Sequence, residues 1–259
     1  MRTLNRTWQL TGFAMLTVAL AAAATAAGTP AATARAVLTP PVINRHALVS
    51  WGDNQTGDLG DGSTTGRSLY GSVEELGSGV VQVAAGQFFT LALRSDGTVW
   101  AWGANALGQM GNGTTSEAQL TPVQVSGLTG TVAVSAGYDH ALALRSDGTV
   151  WVWGGNRFGQ LGNGSFADQT SPVEVAGLTG VTQIAAGTSF SLALRSDGTV
   201  LGWGNNDGGN LGDGTVGNED SGPVQVSGLT TASQIAAGVY ASYAIYLPPL
   251  VFEAKGQQR

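Results

Sequence analysis

The chain has 259 residues, enough for one large domain or two small ones. Its net charge is −6, only 11% of its residues are charged, and Lys255 is its single lysine. A nucleic-acid binder needs clustered Lys and Arg to neutralise phosphates, so this composition argues against a nucleic-acid partner. The chain has no cysteine, which excludes disulfides, thiolate metal ligands and a catalytic thiol.

The N-terminal segment has the three-part pattern of a secretory signal. Two arginines precede an apolar stretch at residues 10–27, and Ala24-Thr25-Ala26 offers a cleavage site. The stretch is only moderately apolar, and no basic cluster follows it to stop transfer. We therefore expect residues 1–26 to be removed on export, residues 27–41 to form an Ala/Thr/Pro linker, and the mature protein to be extracellular. The alternative is an uncleaved segment that keeps the protein at the cell envelope.

After the linker, short motifs recur at a nearly constant interval. The motif Trp-Gly-x-Asn recurs at spacings of 51, 51 and 50 residues. Its copies begin at Trp51, Trp102, Trp153 and Trp203. An Ala-Gly marker and the sequence Arg-Ser-Asp-Gly-Thr-Val follow the same period. Such self-similarity predicts an array or a propeller of like units. We assign the repeat domain to residues 42–247 and a C-terminal tail to residues 248–259.

Taken in chain order, one repeat predicts four short strands. Residues 122–125 alternate in polarity and begin with proline, which favours an outer edge. Residues 131–136, 140–145 and 149–153 are the second, third and fourth strands. Asp147-Gly148 predicts a hairpin between the last two, since both residues tolerate the positive φ of a primed turn. A glycine-rich loop then leads to the next unit.

These short strands predict an all-β fold. A lone four-stranded sheet of this size cannot bury its apolar faces, and stacking on copies of itself solves the problem. Radial stacking gives a β-propeller with short, protected edges. We therefore predict a β-propeller of four-stranded blades built from four repeats. Each repeat tryptophan is expected to pack between blades, where it removes about 150–250 Å² of surface from water.

The two ends of the repeat domain are incomplete in complementary ways. Residues 47–52 are typical of the fourth strand of a unit, without the preceding hairpin. Residues 241–247 are typical of a third strand, without its successor. We predict that the N-terminal strand completes the last blade and closes the ring.

One stretch of the chain carries a long repeat signature. Residues 137–144 are GYDHALAL, residues 147–151 are DGTVW, residues 153–156 are WGGN, and residues 159–164 are GQLGNG. The signature resembles the repeat of the regulator of chromosome condensation family, and the resemblance covers about residues 42–247. It implies a propeller that has seven blades in the best-known members. Four units leave three expectations open: a small closed ring, a fragment of a larger ring, or a ring completed by self-association with a second chain.

The resemblance also implies two different functions. Founding members of the family promote nucleotide exchange on a small GTPase through an inserted wedge and a basic tail. This chain shows neither feature, so guanine-nucleotide exchange is the alternative function. A secreted bacterial branch includes a β-lactamase inhibitory protein that grips its target through aromatic loops on one propeller face. With its export signal, this chain is more similar to that branch, which implies an inhibitor or a recognition module.

The sequence predicts no catalytic residue, no cofactor and no metal site. His140 stands in a repeat slot that holds Phe89 and Phe190 elsewhere, which favours a packed position. The acidic and amide residues at 205–207 lack the spacing of a calcium loop and are typical of turns. The asparagine of each Trp-Gly-x-Asn motif is expected to satisfy backbone groups of its own loop.

Residues that vary between the copies identify a candidate partner surface. Packing between repeats does not require them, and aromatic residues and Arg are enriched in binding hot spots. The candidate protein-binding residues are Phe88, Tyr138, Asp139, Arg157, Phe158, Phe166 and Tyr240. If the units stack radially, loops in equivalent positions collect on one face.

Together these features predict a secreted, non-enzymatic scaffold that binds a protein partner. No nucleic-acid partner is expected, and no membrane contact beyond the export signal. The competing interpretation of the variable residues is that they cap the core or vary neutrally.

Overall fold

The structure is a computed structural model that describes residues 47–248. The predicted signal, the linker and residues 249–259 of the predicted tail lie outside the described residues. Within the described part, the chain forms sixteen β-strands and one turn of 3-10 helix, Glu74–Leu76. Nothing in residues 47–248 forms a helix long and apolar enough to span a membrane.

Within residues 47–248, five antiparallel sheets follow one another along the chain. The first has two strands, β1 (Val49–Gly52) and β2 (Arg67–Ser72). The second has β3 (Val80–Ala85), β4 (Phe89–Arg94), β5 (Val99–Asn105) and β6 (Ser116–Gln124). The third has β7 (Thr131–Ala136), β8 (His140–Arg145), β9 (Val150–Gly154) and β10 (Gln169–Glu174). The fourth has β11 (Val181–Ala186), β12 (Phe190–Arg195), β13 (Val200–Asn205) and β14 (Glu219–Gln225). The last has two strands, β15 (Ala232–Ala237) and β16 (Ser242–Tyr246). The predicted all-β fold with four-stranded sheets is confirmed.

The sheets do not begin where the sequence repeat was expected to begin. Residues 122–125, predicted as the first strand of a unit, mostly belong to β6, which pairs with β5 through Gln124 and Trp100. The fourth strand of the next sheet is β10, which pairs with β9. The predicted grouping is wrong because the glycine-rich loop turns the chain back along the strand it has just left. The predicted edge position of Pro122 is confirmed, since β6 is the last strand of its sheet.

The Asp-Gly hairpin forms where predicted but uses a different turn. Gly148 has a φ of +80°, and no residue other than glycine has a positive φ in the described part of the chain. Asp147 Oδ1 instead accepts hydrogen bonds from the Thr149 backbone N–H at 3.1 Å and from the Thr149 hydroxyl at 2.7 Å. The prediction that both turn residues have positive φ is therefore wrong. The aspartate side chain stabilises a turn in which only Gly148 is left-handed.

Three repeat tryptophans bind the glycine-rich loop of the preceding unit. Their Nε1–H groups donate to backbone carbonyls: Trp102 to Asp58 at 2.7 Å, Trp153 to Gln109 at 2.8 Å, and Trp203 to Gln160 at 2.9 Å. All three side chains are buried, so the predicted packing between sheets is confirmed for them. We call the carbonyl and the loop around it the tryptophan socket.

Trp51 does not follow this pattern, because its side chain is 63% exposed. Within residues 47–248, no glycine-rich loop of an earlier unit lies beside it. The prediction that all four repeat tryptophans are buried is therefore wrong for Trp51. A tryptophan of this motif is buried only where the loop of another unit covers it.

The tryptophan socket requires glycine and is backed by apolar side chains from two sheets. Gly162 has a φ of +64°, and a Cβ on it would lie 2.6 Å from Trp203 Cδ1. Apolar clusters join neighbouring sheets, and one of them contains Leu91 of β4, Val134 of β7 and Trp153 of β9. The core of the protein therefore lies between sheets rather than within one.

The predicted closure of the ring is not formed. Strand β1 pairs with β2 and flanks the sheet of β3 and β4, where Trp51 and Val83 line a common groove. Strand β16 pairs with β15, which packs against β11 and β12 of the last complete sheet. Three complete sheets separate the two ends along the chain, and β16 and β1 belong to separate two-stranded sheets.

A buried asparagine organises each glycine-rich loop. The four are Asn54, Asn105, Asn156 and Asn206. Asn156 Oδ1 accepts a hydrogen bond from the Leu161 N–H at 3.0 Å. Its Nδ2 donates to Ser165 O at 2.9 Å and to Ala167 O at 3.0 Å. The expectation that these side chains satisfy loop backbone groups is confirmed.

We expect Asn156→Asp to lower the free energy of unfolding by roughly 3 kcal/mol or more, because a buried carboxylate would replace the amide donor and face two carbonyl oxygens. Urea denaturation followed by circular dichroism measures the loss. The matched control is Asn163→Asp in the same loop, at a position that carries Asp61 and Asp213 in other units. The control should stay within about 0.5 kcal/mol of the original protein. Equal losses in the two variants would contradict the role assigned to Asn156.

Candidate functional site

The loops that follow the Ala-Gly markers lie together at one end of the inner strands. These strands, β3, β7, β11 and β15, contact one another in succession. Equivalent residues of the four loops line an open depression of about 310 Å³. They include Gln87, Tyr138, Thr188 and Val239. The Tyr138 N–H donates to Thr188 O at 3.1 Å, so neighbouring loops are directly joined. We call this feature the central depression.

Phe88 and Tyr138 meet beside the central depression. Their rings are edge to face, with centroids 6.0 Å apart and an interplanar angle of 88°. This geometry is favourable for an aromatic pair. The two side chains remain 42% and 41% exposed. The pair joins the loops of two adjacent sheets and presents a fixed aromatic ridge to solvent.

Phe158 and Tyr240 line a groove of about 400 Å³ that adjoins the central depression. The groove shares Thr188 and Val239 with the central depression, so the two are continuous. The Arg157 guanidinium carbon lies 5.5 Å from the Phe158 ring centroid, which is cation–π distance. The structure thus brings four of the candidate side chains to one surface. We call Phe88, Tyr138, Phe158 and Tyr240 the aromatic surface.

Asp139 and Phe166 are placed differently. Asp139 Oδ1 accepts a hydrogen bond from Gln160 Nε2 at 3.0 Å. Burial raises the pKa of the Asp139 carboxyl, and the Asp168 carboxylate raises it further. Phe166 is exposed but lines neither the central depression nor the groove. Asp139 therefore ties two loops together, and Phe166 is a separate apolar point on the loop before β10.

His140 is buried and takes part in packing. Its Nε2 lies 3.0 Å from Ser191 Oγ, and the Ser191 hydroxyl donates to Gln160 O at 2.9 Å. Nε2 therefore carries the imidazole proton. Asp139 Oδ1 is 3.9 Å from Nδ1, which is too far for a hydrogen bond. The serine, histidine and aspartate lie near one another without catalytic geometry, because the serine proton is committed to a backbone carbonyl and the imidazole is sealed from solvent.

The aromatic surface offers apolar contact area held in fixed positions. Among residues 47–248, no group of three or more His, Asp or Glu side chains is arranged to hold a metal ion. Phe88, Tyr138 and Tyr240 project from short loops between strands, and hydrogen bonds such as that from Tyr138 to Thr188 hold neighbouring loops together. Phe158 projects from the longer glycine-rich loop, which Asn156 organises. Such a surface binds by burying apolar area at little cost in conformational entropy.

Comparison with known proteins identifies the family. The RCC1-like domain family matches residues 41–247, about four-fifths of the chain. The chain belongs to this family, as its repeat signature predicted. Its four-stranded sheets are therefore blades of the RCC1 type.

Similar proteins were found both by sequence and by structure, and they agree with this assignment. Human E3 ubiquitin-protein ligase HERC2 is 40% identical over 121 residues, which is 46% of this chain and 2% of HERC2. The crystal structure of human WBSCR16 has a TM-score of 0.68 at 27% identity, over 78% of this chain and 55% of that chain. The structure of Prp20p from Saccharomyces cerevisiae has a TM-score of 0.66 at 18% identity, over 78% of this chain and 52% of the Prp20p chain. At this identity the likeness shows a shared fold alone. This chain spans about half the length of these solved relatives.

Sequence reasoning misses the exposed apolar residues of the end strands. Trp51 on β1 and Tyr243 and Ile245 on β16 are all more than half exposed. The repeat places them in slots that are buried in complete units, so periodicity predicts burial. The incomplete strand set of each end is the only sequence feature that points to their exposure. Val239 is also missed, because an aliphatic residue in a variable slot does not stand out.

We expect His140→Phe to remove an acid-dependent loss of stability. Burial lowers the pKa of His140 from 6.5 to about 3. Between these pH values the unfolded chain binds a proton that the native protein does not, so stability falls as the pH decreases through this window. The slope is about 1.4 kcal/mol per pH unit. Phe89 and Phe190 occupy the equivalent slots, so the variant should fold.

Urea denaturation at pH values between about 6.5 and 4 measures the effect, as the difference between the two proteins. The free energy of unfolding of the variant should depend less steeply on pH. Parallel profiles for the two proteins would show that His140 is not held neutral by burial.

Proposed function

We propose that this chain is an exported, non-enzymatic propeller module whose aromatic surface binds a protein partner. The observation that supports this proposal is that the aromatic side chains lie on one continuous surface. Tyr138 of the ridge lines the central depression, and the groove lined by Phe158 and Tyr240 shares Thr188 and Val239 with that depression. The side chains come from three different units, since Tyr138 and Phe158 lie on two loops of the same sheet, so the surface exists only in the folded stack.

The exposure of these side chains favours recognition over core packing. Tyr240 is 75% exposed, and the ridge residues remain about two-fifths exposed. Burial of one aromatic side chain removes about 150–250 Å² from water, worth about 25 cal/mol per Å². Exposed aromatics on fixed loops are typical of binding hot spots. An inhibitor or a recognition module uses this kind of surface.

The proposed export rests on the pattern of residues 1–26, with an apolar stretch before Ala24-Thr25-Ala26. Within the RCC1-like family, this pattern supports the proposal of an extracellular protein. Retention of the segment would place the same binding surface at the cell envelope.

Guanine-nucleotide exchange is not favoured by a specific feature of this chain. The solved structure of Prp20p is described together with its binding to Gsp1p and histones. At 18% identity that likeness supports a shared fold only. HERC2 is an E3 ubiquitin-protein ligase, but the match covers 2% of it. Neither relative therefore supplies an activity for this chain.

We expect alanine at both Tyr138 and Tyr240 to weaken partner binding by roughly tenfold or more, since each hot-spot side chain contributes more than about 1 kcal/mol. The original protein, immobilised and exposed to medium and envelope extracts of its source organism, should capture the partner for identification. Affinity is then measured with the purified partner. The control is Tyr70→Ala, an exposed aromatic on β2, which should bind normally. Unchanged affinity of the double variant would remove the aromatic surface from the proposal.

Export has a separate test. Mass spectrometry of the protein recovered from the source organism should find an N-terminus just after Ala26, in the medium. An intact Met1 terminus in the membrane fraction would replace secretion with envelope attachment. Recovery from the cytosol with Met1 intact would contradict the proposed export.

A further inference from the structure

The stack of sheets ends in two incomplete blades that complement each other. A complete blade has four strands, such as β3 to β6. At the N-terminal end, β1 and β2 carry the Trp-Gly-x-Asn motif and the strand after it, so they correspond to β5 and β6. At the C-terminal end, β15 and β16 correspond to β3 and β4. The two pairs together make one full set of four strands.

The C-terminal end contains a tryptophan socket without a tryptophan. In a filled socket, Gln160 O accepts two hydrogen bonds, one from Trp203 Nε1 and one from the Ser191 hydroxyl. At the last socket, Asn210 O accepts a hydrogen bond from the Ser242 hydroxyl, and within residues 47–248 no tryptophan reaches it. One lone pair of this carbonyl oxygen is therefore left for an indole N–H.

The space around Gly212, the glycine of this last socket, also shows that no tryptophan of the described chain fills it. A Cβ on Gly60, Gly111 or Gly162 would strike a tryptophan ring at 2.9, 2.9 or 2.6 Å, respectively. At Gly212 the three nearest atoms to such a Cβ all belong to Val226, the closest being a methyl at 3.1 Å. The space is an open cavity of about 330 Å³, lined by residues that include Leu211 and Tyr243.

The N-terminal end carries the matching tryptophan. Of the four Trp-Gly-x-Asn tryptophans, Trp102, Trp153 and Trp203 are each seated in a socket. Trp51 is 63% exposed. The side chain that the empty socket is shaped to accept is therefore present at the other end of the same molecule.

A third pair of groups matches in the same way, between inner strands. Gln82 of β3 clamps Val134 of β7, with Nε2 donating to Val134 O at 3.0 Å and Oε1 accepting from the Val134 N–H at 3.0 Å. Gln234 holds the equivalent position on β15, and its side chain is exposed. The backbone position that corresponds to Val134 at the other end is Val83, which is 43% exposed.

From these three matches we propose that the chain associates head to tail with a second copy of itself, forming a composite blade across the interface. Strand β16 of one copy pairs with β1 of the next. Trp51 of the second copy enters the socket at Asn210 of the first. Gln234 of the first copy clamps the backbone at Val83 of the second. All three contacts form together, because they belong to one blade and its two neighbours.

A second copy fits better than closure within one chain. Three complete sheets separate β1 from β16. The chain resembles human WBSCR16 with a TM-score of 0.68 over 78% of this chain and 55% of that chain, so its blades match part of a longer protein. Among the described strands, β1 pairs with β2 and β16 with β15, and the two ends are not joined to each other. Two arcs joined at both ends close a ring, whereas arcs that fail to close extend into filaments.

The blades define the register of the composite sheet. In complete blades Thr90 lies opposite Trp102 and Ser191 opposite Trp203. Ser242 of one copy therefore lies opposite Trp51 of the next. Two residues along each strand, Ala244 faces Val49, as Ala92 faces Trp100 in the second sheet.

This register can be tested by cysteine cross-linking, since the chain has no cysteine of its own. The full chain is made in two forms, Val49→Cys and Ala244→Cys, which are mixed and oxidised gently. We expect a covalent dimer whose linked peptides contain both positions. The matched control mixes Val49→Cys with Ile245→Cys, where the neighbouring residue of β16 projects from the opposite face. The control should form at least about tenfold less dimer.

The contribution of Trp51 to the association can be measured with a variant that leaves the strands intact. Trp51→Ala removes an exposed side chain, so each copy should fold normally. It should raise the dissociation constant of the assembly by roughly tenfold or more in sedimentation velocity. Phe166→Ala, an exposed aromatic away from both ends, should leave the dissociation constant unchanged.

Three outcomes would overturn the proposal. Equal cross-linking in the matched and control mixtures would mean chance collision. A chain that stays monomeric at all concentrations and gives no cross-link would mean that the ends do not meet. A double variant, with both Val49 and Ala244 replaced by cysteine, that links within one chain would show that the arc closes on itself.

Discussion

The structure depends on one interaction, the insertion of a tryptophan of one unit into the glycine-rich loop of the unit before it. The indole N–H of Trp153 reaches Gln109 O at 2.8 Å, and Trp102 and Trp203 make equivalent bonds. A buried N–H and a buried C=O each need a partner, so separating two units would leave both unsatisfied and expose the ring. Each blade is therefore stable only in the presence of its neighbour, which makes stability a property of pairs of blades.

The same loops carry the candidate recognition surface. The loop that contributes Gln160 O to Trp203 also holds Phe158, and the Gln160 side chain donates to Asp139 in the preceding turn. Buried Asn156 fixes the start of that loop by bonds to three backbone groups. Exposed aromatic residues are thus mounted on segments that the packing between blades already holds rigid. Binding a partner would therefore cost little conformational entropy for these side chains. This low cost is the physical basis for assigning recognition to this face.

Because each blade is stabilised by its neighbour, the incomplete blades at the two ends of the stack expose surfaces that are buried elsewhere. A strand edge and an apolar socket that have no partner attract other chains, and many proteins cover or charge such edges. Here β16 is apolar, with Tyr243 and Ile245 both more than half exposed. Trp51 at the opposite end is exposed to a similar degree. The contacts that hold one blade to the next inside the molecule are therefore available, in complementary halves, between molecules.

The sequence by itself determined the repeat, the family and the all-β character, because strand period, Asp-Gly turns and Trp-Gly-x-Asn spacing are local properties. It also indicated that the loops bearing Phe88, Tyr138 and Tyr240 occupy equivalent positions. It wrongly predicted that Trp51 is buried and that the ring closes. A periodic pattern shows which residue type recurs at each repeat position, but not whether a neighbouring unit is present to pack against that residue. It also assigned a positive φ to Asp147, where the side chain of that residue selects another turn. The tertiary structure decided these matters, since burial of Trp153 and exposure of Trp51 depend on which loop lies alongside. Closure likewise depends on whether β16 and β1 join one sheet, and in the structure they belong to two.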